Sequence, residues 1–299
     1  NLGSHQMIVP GVYAQAVDSL WLPRQRACIE GAQALNIDQD CLLATVALGA
    51  DVVRNVQDVN EVLEESRSWD VGGVYLVCEH PSGDYLVQDD IWMANVLELT
   101  AGFRLQEKKV ILGYCNHQMI AAACAGANAV ASGTWMNVRS FPPEKFRAAY
   151  EDEIKRKTTW YYCPQALSEY KIPTLDIAML QGVLDDMAPP ADLGSQYADI
   201  LFAGAQPSTV GFGEQAAFRH YLKSLCSQIA AARGATFDDT VQRHEQILDF
   251  AEELLTRLHA AGVRGQRRDF RDCLDSNRAA LAVLQSNRGP LLRRHWGDL

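Results

Sequence analysis

The sequence predicts an α/β protein: a parallel (β/α) barrel or a barrel-derived sheet, followed by an all-α helical bundle. Three observations carry that reading. Short, continuously apolar runs alternate with helix-period segments through the first half of the chain, the pattern of parallel strands covered by helices. Polar residues stand just past successive runs: Asp51, Glu79 with His80, Asn116 with His117, and Asn137 with Arg139. From Gly213 onward the periodicity is helical.

The elements run in order along the chain. Residues 7–13 (MIVPGVY) are a short apolar run broken by Pro-Gly, and the NLGSHQ before Met7 reads as a cloning remnant outside the fold. Residues 18–35 read as a helix, with Asp18 or Ser19 as cap and Pro23 near the first turn. Strands are expected at 41–48, 71–80, 108–117 and 128–134. Helices are expected at 56–69, 87–105, 118–127 and 142–157, the last announced by Pro142 and Pro143. Residues 158–210 lack periodicity and read as a connection, although KIPTLDIAML (171–180) offers one more strand. Helices at 213–233, 237–261 and 266–285 complete a bundle, the middle one capped by Thr236 or Asp238 and ended by Gly262. This divides the chain into a barrel-like part (7–157), a connecting segment (158–210) and a helical bundle (211–299).

A barrel gathers polar strand ends into one mouth, whereas an open doubly wound sheet gathers them only at its switch point. The recurrence of polar ends after several strands therefore favours the barrel. About five strands are convincing where a full barrel has eight. The barrel is then incomplete, begun mid-domain, or finished by irregular strands.

Composition narrows the function classes. Hydrophobic residues make up 48% and charged residues 21%, enough for a packed core. A net charge of −10 opposes general binding to phosphate backbones. The exception is 263–299, where eight arginines face four aspartates, so that nucleic acid is expected only through this Arg-rich end. Eight scattered cysteines without a CxxC pair give neither a disulfide framework nor a zinc ribbon. No run is long enough for a membrane span, and the expected setting is cytoplasmic, with a small-molecule ligand and a possible homo-oligomer.

The strand ends carry the catalytic candidates Glu79, His80 and His117. Carboxylate and imidazole on neighbouring strands, about 4.8 Å apart, suit proton transfer. No metal is assigned to them, and the cofactor is left open. Side chains alternate across a strand, so only one of Glu79 and His80 can face the barrel interior.

The stretch AGANAVASGT (125–134) resembles the late strand-and-loop segment of phosphate-binding (β/α) barrels, in which backbone N–H groups after the strand hold a phosphate. The resemblance implies that Gly133 and Thr134 grip an anion and that Arg139 neutralises it. This sequence departs from the family after Thr134: Trp135, Asn137 and Arg139 replace the usual short apolar helix, which speaks against a flavin. Read by alternation, TWMNVRSF (134–141) puts Trp135, Asn137, Arg139 and Phe141 on one side, a wall for a planar polar ligand that Asn116 could help orient. The other reading is an extended segment whose aromatics pack inward while Arg139 forms an ion pair.

TTWYYCPQALSEYKIP (158–173) crowds four aromatics with Cys163, Glu169 and Lys171, as segments that cover a site or join domains do. Cys163 is expected to be a buried structural thiol. Asp84, Asp89 and Asp90 lack calcium-loop spacing, and no P-loop, GxGxxG, GxSxG or HExxH occurs. The expected function is an enzyme acting on a small planar or phosphorylated metabolite (a nucleobase, nucleotide or relative). The alternative is a scaffold that binds a partner through its Arg-rich helices.

Overall fold

The computed structural model describes residues 5–35, 37–146 and 158–299, without the side chain of Asn137. The protein is mixed α/β, with a parallel six-stranded sheet followed by C-terminal helices. The first half runs β1 (Met7–Val9), β2 (Tyr13–Ala14), α1 (Trp21–Gln33), β3 (Leu42–Leu48), α2 (Ala50–Arg54), α3 (Val56–Glu65), β4 (Gly73–Cys78), α4 (Asp90–Leu105), β5 (Lys109–Leu112) and β6 (Ala129–Val130). β1 and β2 both pair with β3 and form one broken edge strand. Met7 pairs with Leu42 but Tyr13 with Ala47, so the register slips by one residue across Pro10–Gly11, as at a bulge.

The strand order is sequential: β1, β3, β4, β5, β6. A doubly wound sheet reverses its order at a switch point, and this one does not. Successive right-handed crossovers in one direction put every helix on the same face. Burial agrees. Ala44, Val46, Leu48, Val74, Leu76, Val110 and Leu112 face the helices within one continuous core. Thr45, Ala47, Tyr75 and Val77, on the opposite face, line an open cavity. Among the described residues no strand pairs β6 back to β1, and the sheet stays open at both edges.

α4 is buried almost all round because it lies between the sheet and the C-terminal helices. The side chain of Asp89 caps its start by accepting from Trp92 N at 2.8 Å. From residue 158 onward come the antiparallel hairpin β7 (Trp160–Cys163) and β8 (Ser168–Lys171), α5 (Ile172–Leu180), α6 (Glu214–Ala232), α7 (Phe237–Ala260), α8 (Leu274–Asn287) and α9 (Gly289–His295). α8 packs along α4, and Arg288 Nε donates to Glu98 Oε2 across them at 2.9 Å. The apolar core therefore runs unbroken from the sheet helices into the C-terminal ones.

Several expectations need correction. Of residues 171–180, Lys171 ends β8 and the rest are helix α5 rather than a strand, because Pro173 sits in the first turn, where its missing N–H costs nothing. The 128–134 strand pairs only at Ala129 and Val130 before the chain turns away. The 118–127 helix is a run of tighter 3₁₀ turns over His117–Ala125. The 266–285 helix begins at Leu274, after two such turns. Of the 142–157 helix, Pro143–Phe146 form a 3₁₀ turn, and residues 147–157 lie outside the described residues. Among the described residues no helix is long and apolar enough to cross a membrane.

The strand contacts at Gly73 allow one test of this packing. A Cβ there would stand 2.6 Å from both Leu43 Cδ2 and the Lys109 carbonyl oxygen. Gly73→Ala should lower the unfolding free energy by about 1–3 kcal/mol, the usual range for overpacking, seen as an earlier urea midpoint at unchanged slope.

Candidate functional site

Alternation along β4 decides the fate of its two terminal candidates. Tyr75, Val77 and Glu79 share the open sheet face, and His80 turns to the helices. Glu79 Oε2 accepts from the Tyr13 hydroxyl and, at 3.0 Å, from Ala50 N at the start of α2. His80 is buried, with its ring edge-on to Trp92 at 5.2 Å and Nδ1 2.8 Å from the Asp84 carbonyl oxygen. Burial lowers its pKa, and the carbonyls of Asp84 and Tyr85 oppose that only in part. His80 thus anchors the loop that delivers Tyr85.

Asn116 and His117 lie just past β5. Asn116 caps the next turn, its Oδ1 accepting from Gln118 N at 2.8 Å, while its Nδ2 donates to the Tyr85 carbonyl. His117 is enclosed by the rings of Tyr162, Tyr85, Phe270 and Tyr221, with centroids 4.9, 5.9, 6.0 and 6.1 Å away. Neither ring nitrogen has a well-formed hydrogen bond among the described residues. Burial pushes its pKa down to about 4, against the pull of Glu169 and of the Leu167 backbone, so the ring is neutral at neutral pH.

The third strand end supplies the centre of the site. The chain leaves β6, turns at Gly133, and brings Arg139 back into the protein at 2% exposure. Arg139 Nε donates to the Gly133 carbonyl at 2.8 Å, and its guanidinium lies 3.5 Å from the Tyr221 ring centroid. Across from it, β8 presents Glu169, which is 3% exposed. Glu169 Oε1 accepts from the Tyr85 hydroxyl at 2.6 Å and lies 3.7 Å from Arg139 Nη1. Its Oε2 accepts from Arg268 Nη1 at 2.7 Å. Arg268, from the turn before α8, stacks 4.0 Å from the Trp160 ring centroid. Burial alone would raise the Glu169 pKa, but Arg268 and Arg139, with His117 and the Tyr85 hydroxyl, outweigh it and hold it below the ordinary carboxylate value. The Tyr221 phenol is pushed up to about 12 by burial, and burial also raises the Tyr85 phenol well above its ordinary value, so both stay protonated.

Arg139, Glu169, Arg268 and Tyr221 line a cavity of about 110 Å³ together with Thr134, Trp135, Trp160, Tyr162, Glu214 and Phe218. Trp135 is 56% exposed at its rim, with its ring 6.2 Å from Phe218. The sequence candidates therefore divide. Arg139, Thr134 and Trp135 line this cavity, and His117 sits behind Tyr162 and Tyr221. Asn116 supports Tyr85 from outside it. Gly133 contributes a carbonyl to Arg139, and a Cβ there would meet Val138 Cγ2 at 2.3 Å, so the glycine is needed for packing beneath Val138. The side chain of Asn137 lies outside the described residues. Glu79 on the open sheet face and His80 buried against Trp92 both lie outside this cavity's lining.

Glu169, Arg268, Tyr85 and Tyr221 join the site although no sequence motif marks them. The density of aromatics in 158–173 and the Arg-rich end were the available signals. Half of those arginines are engaged in ion pairs. Arg268, Arg278, Arg288 and Arg293 form ion pairs, whereas Arg264, Arg267 and Arg294 make none among the described residues. Cys163 is fully buried, its thiol pushed up to about 12, as expected of a structural cysteine. Among the described residues no three His, Cys, Asp or Glu side chains converge as a metal site.

No family model matches the sequence, and neither curated proteins nor solved structures give a match. Its class rests on fold and site alone: a mixed α/β protein whose parallel sheet meets a C-terminal helical region at a buried arginine–glutamate cluster.

The electrostatics of the site set two outcomes. Glu169→Gln leaves the buried Arg139 and the partly buried Arg268 without their carboxylate, and should cost about 3–5 kcal/mol in urea unfolding, the range for breaking a buried pair. Histidine burial sets a pH dependence. His117 and His244 both have pKa values pushed down to about 4 when folded, so the unfolded chain binds more protons between about pH 6.5 and pH 4. Stability should fall as pH falls through that window, by about 2 kcal/mol per histidine at pH 5 relative to pH 7. A His117→Asn/His244→Asn double variant should show a flatter profile there. The Glu169 contribution is present above the ordinary carboxylate range and is lost only at more acid pH.

Proposed function

We propose that this protein is an enzyme of barrel-derived α/β type that acts on a small planar metabolite, a nucleobase, nucleotide or relative, with an anionic or carbonyl edge held by Arg139 and Arg268. The observation that carries the reading is the pair of guanidiniums converging on one buried carboxylate beside an aromatic-walled cavity. Both are fixed by ring stacking and hydrogen bonds, so little reorganisation is needed when a ligand arrives. The sequential strand order and the position beyond the strand ends support the barrel-derived part of the reading.

Size narrows the ligand. An engineered cavity of about 150 Å³ holds benzene. A cavity of about 110 Å³ therefore suits one small ring or one phosphoryl or carboxylate group, with the rest of the molecule passing out beside Trp135. The phosphate-loop role of Gly133 receives little support, because Val138 covers it, and Thr134 remains as a hydroxyl donor.

In this reading the chemistry is electrostatic. Arg139 and Arg268 stabilise negative charge as it develops on a ligand oxygen. Glu169 orients both arginines and, held ionised below its ordinary pKa, is a weak base. His117 steadies Tyr162 and Tyr221 from behind. The alternative, a scaffold binding through its Arg-rich end, has Arg264, Arg267 and Arg294 in its favour.

A thermal-shift screen of nucleobases, nucleotides and aromatic carboxylates tests this. At least one class should raise the melting temperature of the native protein. Arg139→Lys should weaken that ligand tenfold or more by calorimetry, since an ammonium cannot reproduce the stacked fork. Equal affinity in a folded Arg139→Lys protein would remove the proposal.

A further inference from the structure

The segment 134–141 passes between two cavities. Thr134, Trp135 and Arg139 face the arginine pocket, and Phe141 faces a second cavity, of about 410 Å³, on the open side of the sheet. That volume lies within the range of ordinary ligand pockets. Its floor is Thr45, Ala47, Tyr75 and Val77 of β3 and β4, and its walls include Tyr13, Tyr114, Phe141 and Phe146. The rings form a connected set: Tyr114 and Tyr13 meet Phe141 at 5.1 and 5.8 Å, and Phe146 meets it at 5.7 Å. None of the described lining residues is cationic.

Glu79 stands just beyond the lining at the carboxyl end of this cavity, two residues past Val77, bonded to the Tyr13 hydroxyl of the wall and bridged through its backbone to Phe141. Its two hydrogen bonds both fall on Oε2, and Oε1 accepts none among the described residues. Tyr114 adds a backbone observation. It has φ 57°, a left-handed conformation that a bulky residue adopts only when its surroundings impose it, and such outliers gather at ligand sites. Here it carries the ring to the cavity edge.

We propose that this cavity is a second ligand site, separate from the arginine pocket, and that it takes a small planar cation: a conjugated ring bearing an amidinium, guanidinium or ammonium group. Aromatic faces present negative potential, so a ring-lined cavity whose described lining carries no cationic side chain favours positive charge. The Glu79 carboxylate supplies the counter-charge and a free acceptor for the ligand's N–H. A flat ring fits between the sheet floor and Phe141, with its charged end toward Glu79. An anion would meet the carboxylate and the ring faces with the wrong sign, and a neutral ring would leave Oε1 without a partner.

The full chain is titrated with benzamidine, which is protonated at neutral pH, and with benzoate and benzyl alcohol as anionic and neutral counterparts, by calorimetry and saturation-transfer NMR. Benzamidinium should bind at one saturable site at least tenfold more tightly than either counterpart. Glu79→Gln should weaken it tenfold or more, and Arg139→Lys should leave it unchanged, which separates this site from the arginine pocket. Glu79 also holds Ala50 N and Tyr13, so a second variant guards against misfolding. Tyr114→Gly removes a wall ring and suits the positive φ, and should lose benzamidinium affinity while keeping or raising the melting temperature. Absence of saturable binding, equal affinity for benzoate, or unchanged affinity in either folded variant overturns the proposal.

Discussion

The carboxylate of Glu169 is the point on which the arrangement of distant segments depends. It sits in β8, receives the Tyr85 hydroxyl from the loop after β4, lies beside Arg139 from the turn after β6, and pairs with Arg268 from the approach to α8. A buried charge is costly unless it is paired and hydrogen-bonded, and each of these partners also needs the carboxylate. The neighbouring backbone reinforces the junction: Phe270 N donates to Ser168 Oγ at 2.8 Å, and Asp269 Oδ2 accepts from Gly265 N at 2.8 Å. Sheet, hairpin and C-terminal helices are thus held in register by one polar knot. The unbroken apolar core supplies the bulk of the burial around it.

The elements legible in the sequence are those in which local pattern and final packing agree. β3, β4 and α4 have strong periods and clear caps, and they lie close to their expected bounds. The hairpin escaped notice because its turn closes at Leu167, which takes φ 49°, a conformation normally announced by glycine or asparagine. The apolar run at 171–180 satisfied a strand's composition, and only Pro173 pointed the other way. At the site, Arg139 was legible because it comes shortly after a strand end. Glu169 and Arg268 were not, since the two residues are 99 positions apart and no local period links them. Glu79 and His80 show the limit of adjacency: alternation sends one to the open face and the other to the helices.

The open sheet explains why the protein has two cavities along one segment. A closed barrel fills its interior with layers of side chains contributed by strands all around. Here the inner face of the sheet has no opposite wall of strands among the described residues, and Phe141 and Phe146 close part of it instead. The arginine pocket forms farther along, where the same segment meets the hairpin and α6. One stretch of chain therefore serves as partition, with cationic chemistry on one side and aromatic, acidic chemistry on the other.

The polar knot also bears on biosynthesis. Chains emerge from the ribosome N-terminus first and fold as units become complete. The sheet strands and α4 are available early. Glu169 emerges 84 residues after Tyr85, and Arg268 a further 99 residues after Glu169. Until then the hairpin carries an acid without its main counter-charge, and Arg139 has no finished pocket around it. A nascent chain long enough to have formed its sheet is still unable to form the arginine pocket, so that pocket is completed late and all at once.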